Sequence, residues 1–165
     1  MIDQNPLRAY LSPEALAEVD LWIAKYPKGE KQSAVMRTLM LVQEAAGYLK
    51  PEHMQAIALY LQIPEIAVCE AASFYSMYDL KPVGRHKINV CTNISCKLRG
   101  ADVIFKCLQD TLGIRSGETT ADGRFTLKAV ECLAACAGAP MMQIDKTYHE
   151  NLTQATIKEI LAEYE

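Results

Sequence analysis

Arg124-Phe125-Thr126-Leu127-Lys128-Ala129-Val130, running directly into Glu131-Cys132-Leu133-Ala134-Ala135-Cys136, decides how this chain folds. The first seven residues alternate polar and apolar, the period of a half-buried strand. The next six form a loop of small residues with a cysteine at each end of its Leu-Ala-Ala core. The same form occurs upstream: His86-Lys87-Ile88-Asn89-Val90 alternates, Cys91 ends it, and Cys96 lies five residues on. The cysteine pattern is therefore C-x4-C, a gap of thirty-five residues, then C-x3-C. Each short spacing lets one loop offer two thiolates to one metal ion. The two loops meet only if their strands are neighbours in one sheet.

The surrounding segments supply such a sheet. Gly100 to Leu112 is predicted as a helix whose inner face is Val103, Ile104, Cys107, Leu108 and Leu112. Thr119-Thr120-Ala121-Asp122-Gly123 is a turn, Pro140 to Asp145 a short strand, and Thr153 caps a last helix through Ile157, Ile160 and Leu161. The order is strand, helix, strand, strand, helix. It fits a small mixed sheet with helices packed on it, a thioredoxin-like arrangement.

The first half reads differently. Ser12-Pro13-Glu14 is a helix start: a capping hydroxyl, a proline at the first helical position and an early acid. Leu16, Val19, Leu21, Trp22 and Ile23 form its apolar stripe, and Tyr26-Pro27-Lys28-Gly29 stops it. A second helix spans Gln32 to Ala46, with Met36 and Met40 at core spacing, and Gly47 ends it. Pro51 opens a third and Pro64 a fourth, which reaches about Phe74. Four short helices with short connections predict a small antiparallel bundle. The turn-rich Lys81-Pro82-Val83-Gly84-Arg85 is the boundary, so the expected fold is α+β: a helical bundle over 1–80 and a thioredoxin-like domain over 81–165.

Composition narrows the function classes. The chain has 165 residues, 50% apolar and 22% charged, with net charge −3 and mean hydropathy −0.01, as in ordinary globular proteins. Acids and bases are spread evenly, without the basic stripe that nucleic acid requires. No apolar run is long enough to span a bilayer, and Met1-Ile2-Asp3-Gln4-Asn5-Pro6 has neither a basic nor an apolar targeting region. Such a chain is expected in a reducing compartment, where its six cysteines read as metal ligands, catalytic thiols or buried small hydrophobes rather than disulfides.

Four thiolates suit iron–sulfur or zinc. Structural zinc knuckles usually hold two to four residues between ligands, so both spacings fall inside that range, the x4 pair at its edge. Unequal, slightly wide pairs suit a two-iron rhombus in which each pair holds one iron. Thioredoxin-type thiol exchange needs C-x-x-C, which is absent. Cys69 and Cys107 are expected to be buried core cysteines. His53, His86 and His149 match no metal spacing and are expected to be solvated or hydrogen-bonded. No P-loop, nucleophile elbow or Rossmann glycine pattern occurs, so no nucleotide site of the chain's own is expected.

Asp122-Gly123-Arg124-Phe125-Thr126, five residues, then Cys132-Leu133-Ala134-Ala135-Cys136-Ala137-Gly138-Ala139-Pro140 resembles the signature of the small [2Fe–2S] subunit (24 kDa, or E) of NADH:quinone oxidoreductase, respiratory complex I. Phe74-Tyr75-Ser76-Met77-Tyr78, Pro82-Val83-Gly84-Arg85 and the Cys91–Cys96 loop match as well, and the resemblance runs from about Ser12 to the end. It implies a thioredoxin-like [2Fe–2S] ferredoxin domain behind a helical bundle. It implies one [2Fe–2S] cluster on Cys91, Cys96, Cys132 and Cys136, with no catalytic residue on this chain. It also implies a partner subunit that binds FMN and NADH and hands over single electrons. The same module serves soluble NAD-linked hydrogenases and formate dehydrogenases; a zinc-stabilised interaction domain is the alternative of another class. The expected place is the cytoplasmic face of the inner membrane, peripheral and without membrane insertion. An isolated chain is expected to be able to pair with a second copy through surfaces its partner covers. Lys97 and Glu131 flank ligands and are expected to bias the potential in opposite directions unless water screens them. The family carries glycine where this chain has Ala134; a positive φ there would strain alanine.

Overall fold

The computed structural model describes residues 5–164. Residues 1–4, part of the stretch read for targeting signals, lie outside the described residues. The chain forms two compact units, one reaching to Pro82 and the other starting at Val83.

The first unit is helical. Its helices are α1 (Pro13–Ala24), α2 (Val35–Ala46), α3 (Pro51–Leu61) and α4 (Glu65–Phe74). Ser12 caps α1 through its hydroxyl, which accepts from the Ala15 N–H. Pro13 and Pro51 stand at first positions where a missing N–H costs nothing. Gly47 ends α2 at φ +81°, a backbone region open to glycine. The segment expected to begin α2 at Gln32 is instead a tight 3-10 turn over Lys31–Ala34, and a second 3-10 turn, Pro6–Ala9, precedes α1. The core gathers Leu7, Val19, Leu39, Val42, Ile57, Leu61 and Val68, with Met36 and Met40 half-buried against it. Leu21 and Ile66 do not join it; they are exposed on the outer faces of α1 and α4. Apolar spacing alone made the α1 stripe too wide.

The second unit is built on a four-stranded sheet of order β2-β1-β3-β4. Its strands are β1 (His86–Cys91), β2 (Phe125–Val130), β3 (Met142–Ile144) and β4 (Thr147–His149). β1 pairs β2 in parallel and β3 antiparallel, and β3 pairs β4 antiparallel, so the sheet is mixed. The parallel pair is joined by α5 (Ile94–Leu98) and α6 (Ala101–Leu112), and α7 (Gln154–Ala162) closes the unit. Thr153 caps α7 as expected, its hydroxyl accepting from the Thr156 N–H.

Ile88, Val90, Phe125, Leu127, Met142 and Ile144 pack with Ile104, Leu108 and Ile157. Burying each such side chain contributes about 1.5–3 kcal/mol. Asn89, expected to face water, is buried because β1 is an inner strand. Val103 is corrected from inner to exposed: the buried line on α6 runs through Ala101, Ile104 and Leu108, and Val103 lies off it. Cys69 and Cys107 are likewise corrected from buried to half-buried, Cys107 packing at the margin of the sheet core.

Candidate metal centre

The site begins where β1 and β2 end side by side. The register pairs Cys91 with Val130, so the strands deliver both loops to one end of the sheet. The Thr92 N–H donates to the Val130 carbonyl at 2.8 Å and the Thr92 hydroxyl donates to the same oxygen at 3.0 Å. The Cys91 N–H donates to Met141 O at 3.2 Å. β1 therefore holds both feet of the Cys132–Pro140 loop.

Burial divides the four candidate ligands. Cys91 and Cys96 are 2% and 1% exposed and pack with Ala101, Ala139 and Met141. Cys132 and Cys136 are exposed. Cys96 lies within α5, a five-residue helix that alternation and spacing did not foretell. Cys136 opens a 3-10 turn over Cys136–Gly138.

Electrostatics link the thiols across the loops. Burial pushes the Cys91 thiol up, but the backbone N–H groups of Asn93 and Leu133 and the thiols of Cys96 and Cys132 outweigh it, and its pKa falls below the ordinary thiol value. Burial raises Cys96 too, and with Cys91 and the charge of Cys136 it prevails over the Met141 N–H, so that this thiol is pushed up to about 11. Cys91 also meets the opposite loop directly, its Sγ donating to the Glu131 carbonyl at 3.8 Å. The candidate donors are sulfurs, and Cys91 is held toward the thiolate by backbone donors. Such a set fits a cationic, thiophilic group, because neighbouring thiolates repel one another without one. Among the described residues, no three His, Cys, Asp or Glu side chains converge on a point suited to a single metal ion.

The small residues of the second loop let the backbone come close to sulfur. The Ala134 N–H donates to Cys132 Sγ at 3.3 Å, and Ala134 does so at φ +59°, in the left-handed region. Lys97 and Glu131 both point to water, where screening weakens their effect on the site. The histidines stand apart from the cysteines. His53 accepts the Lys50 N–H at Nδ1, His86 meets Asp145 at 2.7 Å, and His149 meets the Tyr164 hydroxyl at 2.9 Å. Three further side chains shape the second loop and carried no local sequence signal: Thr92, Arg99, which donates to Ala137 and Ala139 carbonyls, and Tyr148, whose hydroxyl donates to Leu133 O at 2.9 Å.

Comparison with known proteins adds a family. Residues 19–165 match the thioredoxin-like [2Fe–2S] ferredoxin family. An E-type subunit of the NADH-quinone oxidoreductase of Rhizobium meliloti is 40% identical over 147 residues, covering 89% of this chain and 86% of that protein. The E-type protein of the Rickettsia typhi NADH-quinone oxidoreductase is 41% identical over 143 residues, covering 86% and 84%. Among solved structures, an NAD+-reducing [NiFe]-hydrogenase in its H2-reduced state shares the fold at TM-score 0.62 and 21% identity. That match covers 77% of this chain and 22% of the longer one.

Proposed function

We propose, since this chain belongs to the thioredoxin-like [2Fe–2S] ferredoxin family, that it is the electron-transfer subunit of an NADH:quinone oxidoreductase and holds one [2Fe–2S] cluster on Cys91, Cys96, Cys132 and Cys136. One observation carries the ligand set: the parallel register ends with Cys91 beside Val130, and the buried Cys91 thiol reaches the Glu131 carbonyl, next to Cys132, at 3.8 Å. Relatives at about 40% identity over most of their length favour the quinone-linked complex, whereas the hydrogenase likeness is one of fold.

When bound, the cluster supplies a one-electron redox couple. The chain's own residues set its surroundings. The N–H groups of Ala134, Asn93, Leu133 and Met141 face sulfur and stabilise negative charge there. Buried Cys91 and Cys96 keep water from one side, while exposed Cys132 and Cys136 turn the other toward an electron donor. A hydride carries two electrons, so NADH and FMN belong to a partner subunit that passes electrons singly to this chain. Among the described residues no helix is long and apolar enough to cross a membrane, in keeping with a peripheral position at the cytoplasmic face. Exposed Ile94 and Leu98 give the second unit apolar surface through which a free chain can dimerise.

Anaerobic purification followed by iron and sulfide analysis tests this reading. The chain should hold about two iron and about two acid-labile sulfide, absorb in the visible and give an EPR signal on reduction. Alanine at any of the four cysteines should remove most of the iron, and alanine at Cys69 or Cys107 should not. A colourless, zinc-loaded protein would point to the interaction module instead.

A further inference from the structure

The sheet fixes the feet of the second cysteine loop at Val130 and Met141, and Tyr148 and Asn151 hold its apex from the β4 side at Leu133 and Gly138. One side chain reaches that apex from the first loop. Arg99 follows Cys96 by three residues and caps α5. Its Nη1 donates to the carbonyls of Ala137 and Ala139, each at 3.3 Å. Those two carbonyls flank Gly138 in the turn that Cys136 opens. A single guanidinium therefore joins the helix that carries Cys96 to the turn that carries Cys136.

Charge adds to the tether. Arginine is cationic at every accessible pH. A four-thiolate iron–sulfur centre carries net negative charge and gains another on reduction, so a fixed cation bonded to the ligand turn favours the reduced form. Lys97 also lies next to Cys96, and both side chains are exposed and partly screened by water; Arg99 differs in being held on two carbonyls of the ligand turn.

We propose that Arg99 is a positioning residue for the cluster: its bridge sets the spacing between the Cys96 helix and the Cys136 turn and raises the reduction potential. The inference rests on the ligand assignment above. The test uses the full chain with its cluster and compares Arg99→Gln, Arg99→Lys and Lys97→Gln. Midpoint potential is read by EPR-monitored titration, and cluster retention by the rate of bleaching under a chelator. Arg99→Gln should move the potential negative and speed cluster loss by about tenfold, the lower end for altered outer-shell partners. Arg99→Lys should recover most of the potential, because the charge remains, but less of the retention, because a flexible ammonium is a poorer bridge. Lys97→Gln should shift the potential less than Arg99→Gln.

Wild-type potential and retention in Arg99→Gln would overturn the proposal. Equal shifts in Arg99→Gln and Lys97→Gln would do the same, since diffuse charge would then suffice. Should Arg99→Gln fail to load, Arg99→Lys decides: faster loss at unchanged potential supports the bridge, and wild-type retention overturns it. A wild-type chain without iron would sink the ligand assignment and this inference together, whereas an iron-bearing wild type with an unaltered Arg99→Gln sinks the inference alone.

Discussion

The Ala134 N–H lies 3.3 Å from Cys132 Sγ, and the backbone reaches it only by turning Ala134 to φ +59°. A side chain with Cβ disfavours that region by about 1–2 kcal/mol, while glycine loses about 0.5–1 kcal/mol more backbone entropy on folding than alanine. The first effect is the larger. Ala134→Gly should therefore raise unfolding stability by about 0.5–1 kcal/mol and keep the iron content, and Ala134→Val should lower both. Urea denaturation of the two variants checks the sign; a less stable glycine variant would refute the strain argument.

Gly138 is buried, and a Cβ there would run into the side chain of Glu150. Its carbonyl also accepts the Asn151 N–H at 2.6 Å, so the loop cannot easily withdraw. Gly138→Ala should destabilise the second unit by about 1–3 kcal/mol, the usual range for overpacking. Adding Glu150→Gly should restore much of that loss. A double-mutant cycle without coupling would show that the clash is relieved elsewhere.

Tyr148, on an outer strand of the sheet, donates its hydroxyl to the Leu133 carbonyl between the two exposed ligands. Tyr148→Phe removes one hydrogen bond, which contributes about 0.5–1.5 kcal/mol, and keeps the ring. The expected result is a small fall in stability with a measurable increase in the rate at which a chelator bleaches the protein. Unchanged bleaching would mean that Leu133 is held by the backbone alone.

His53 gives the helical unit a pH dependence. It is buried, its ring meets Tyr10 edge-on, and its Nδ1 accepts the Lys50 N–H, a role open only to the neutral ring. Burial lowers its pKa; Glu52 opposes this and Lys50 adds to it. The folded state therefore binds the proton less readily than the unfolded state, and stability rises with pH across the window below the ordinary histidine value of about 6.5. Acidification from pH 7.5 to 5.5 should lower the urea midpoint of the wild type more than that of His53→Gln. Equal losses would remove His53 as the cause.

Much of this arrangement was legible in the sequence. Pro13, Pro51 and Pro64 marked helix starts because proline lacks the N–H that a helix interior needs. Alternation gave β1 and β2, and the cysteines at their ends gave the candidate ligands. Two elements escaped for physical reasons. α5 is five residues long, too short for any period to emerge. β4 is three residues long and enters directly from the Asp145 turn, so nothing separates it from a loop. Arg99 and Tyr148 were invisible because their partners lie thirty-eight and fifteen residues away along the chain, and only the completed sheet brings them near. The family departure at Ala134 was legible, but its consequence depended on a φ angle that sequence does not carry.

The parallel pairing of β1 with β2 also governs timing in the life of the chain. Cys91 and Cys96 are neighbours as soon as they are synthesised, whereas Cys132 joins them only after a crossover through α5 and α6 has closed. Closing a crossover is slower than forming a local turn. Sulfurs drawn from both loops are therefore together only in a chain whose parallel pair has already closed.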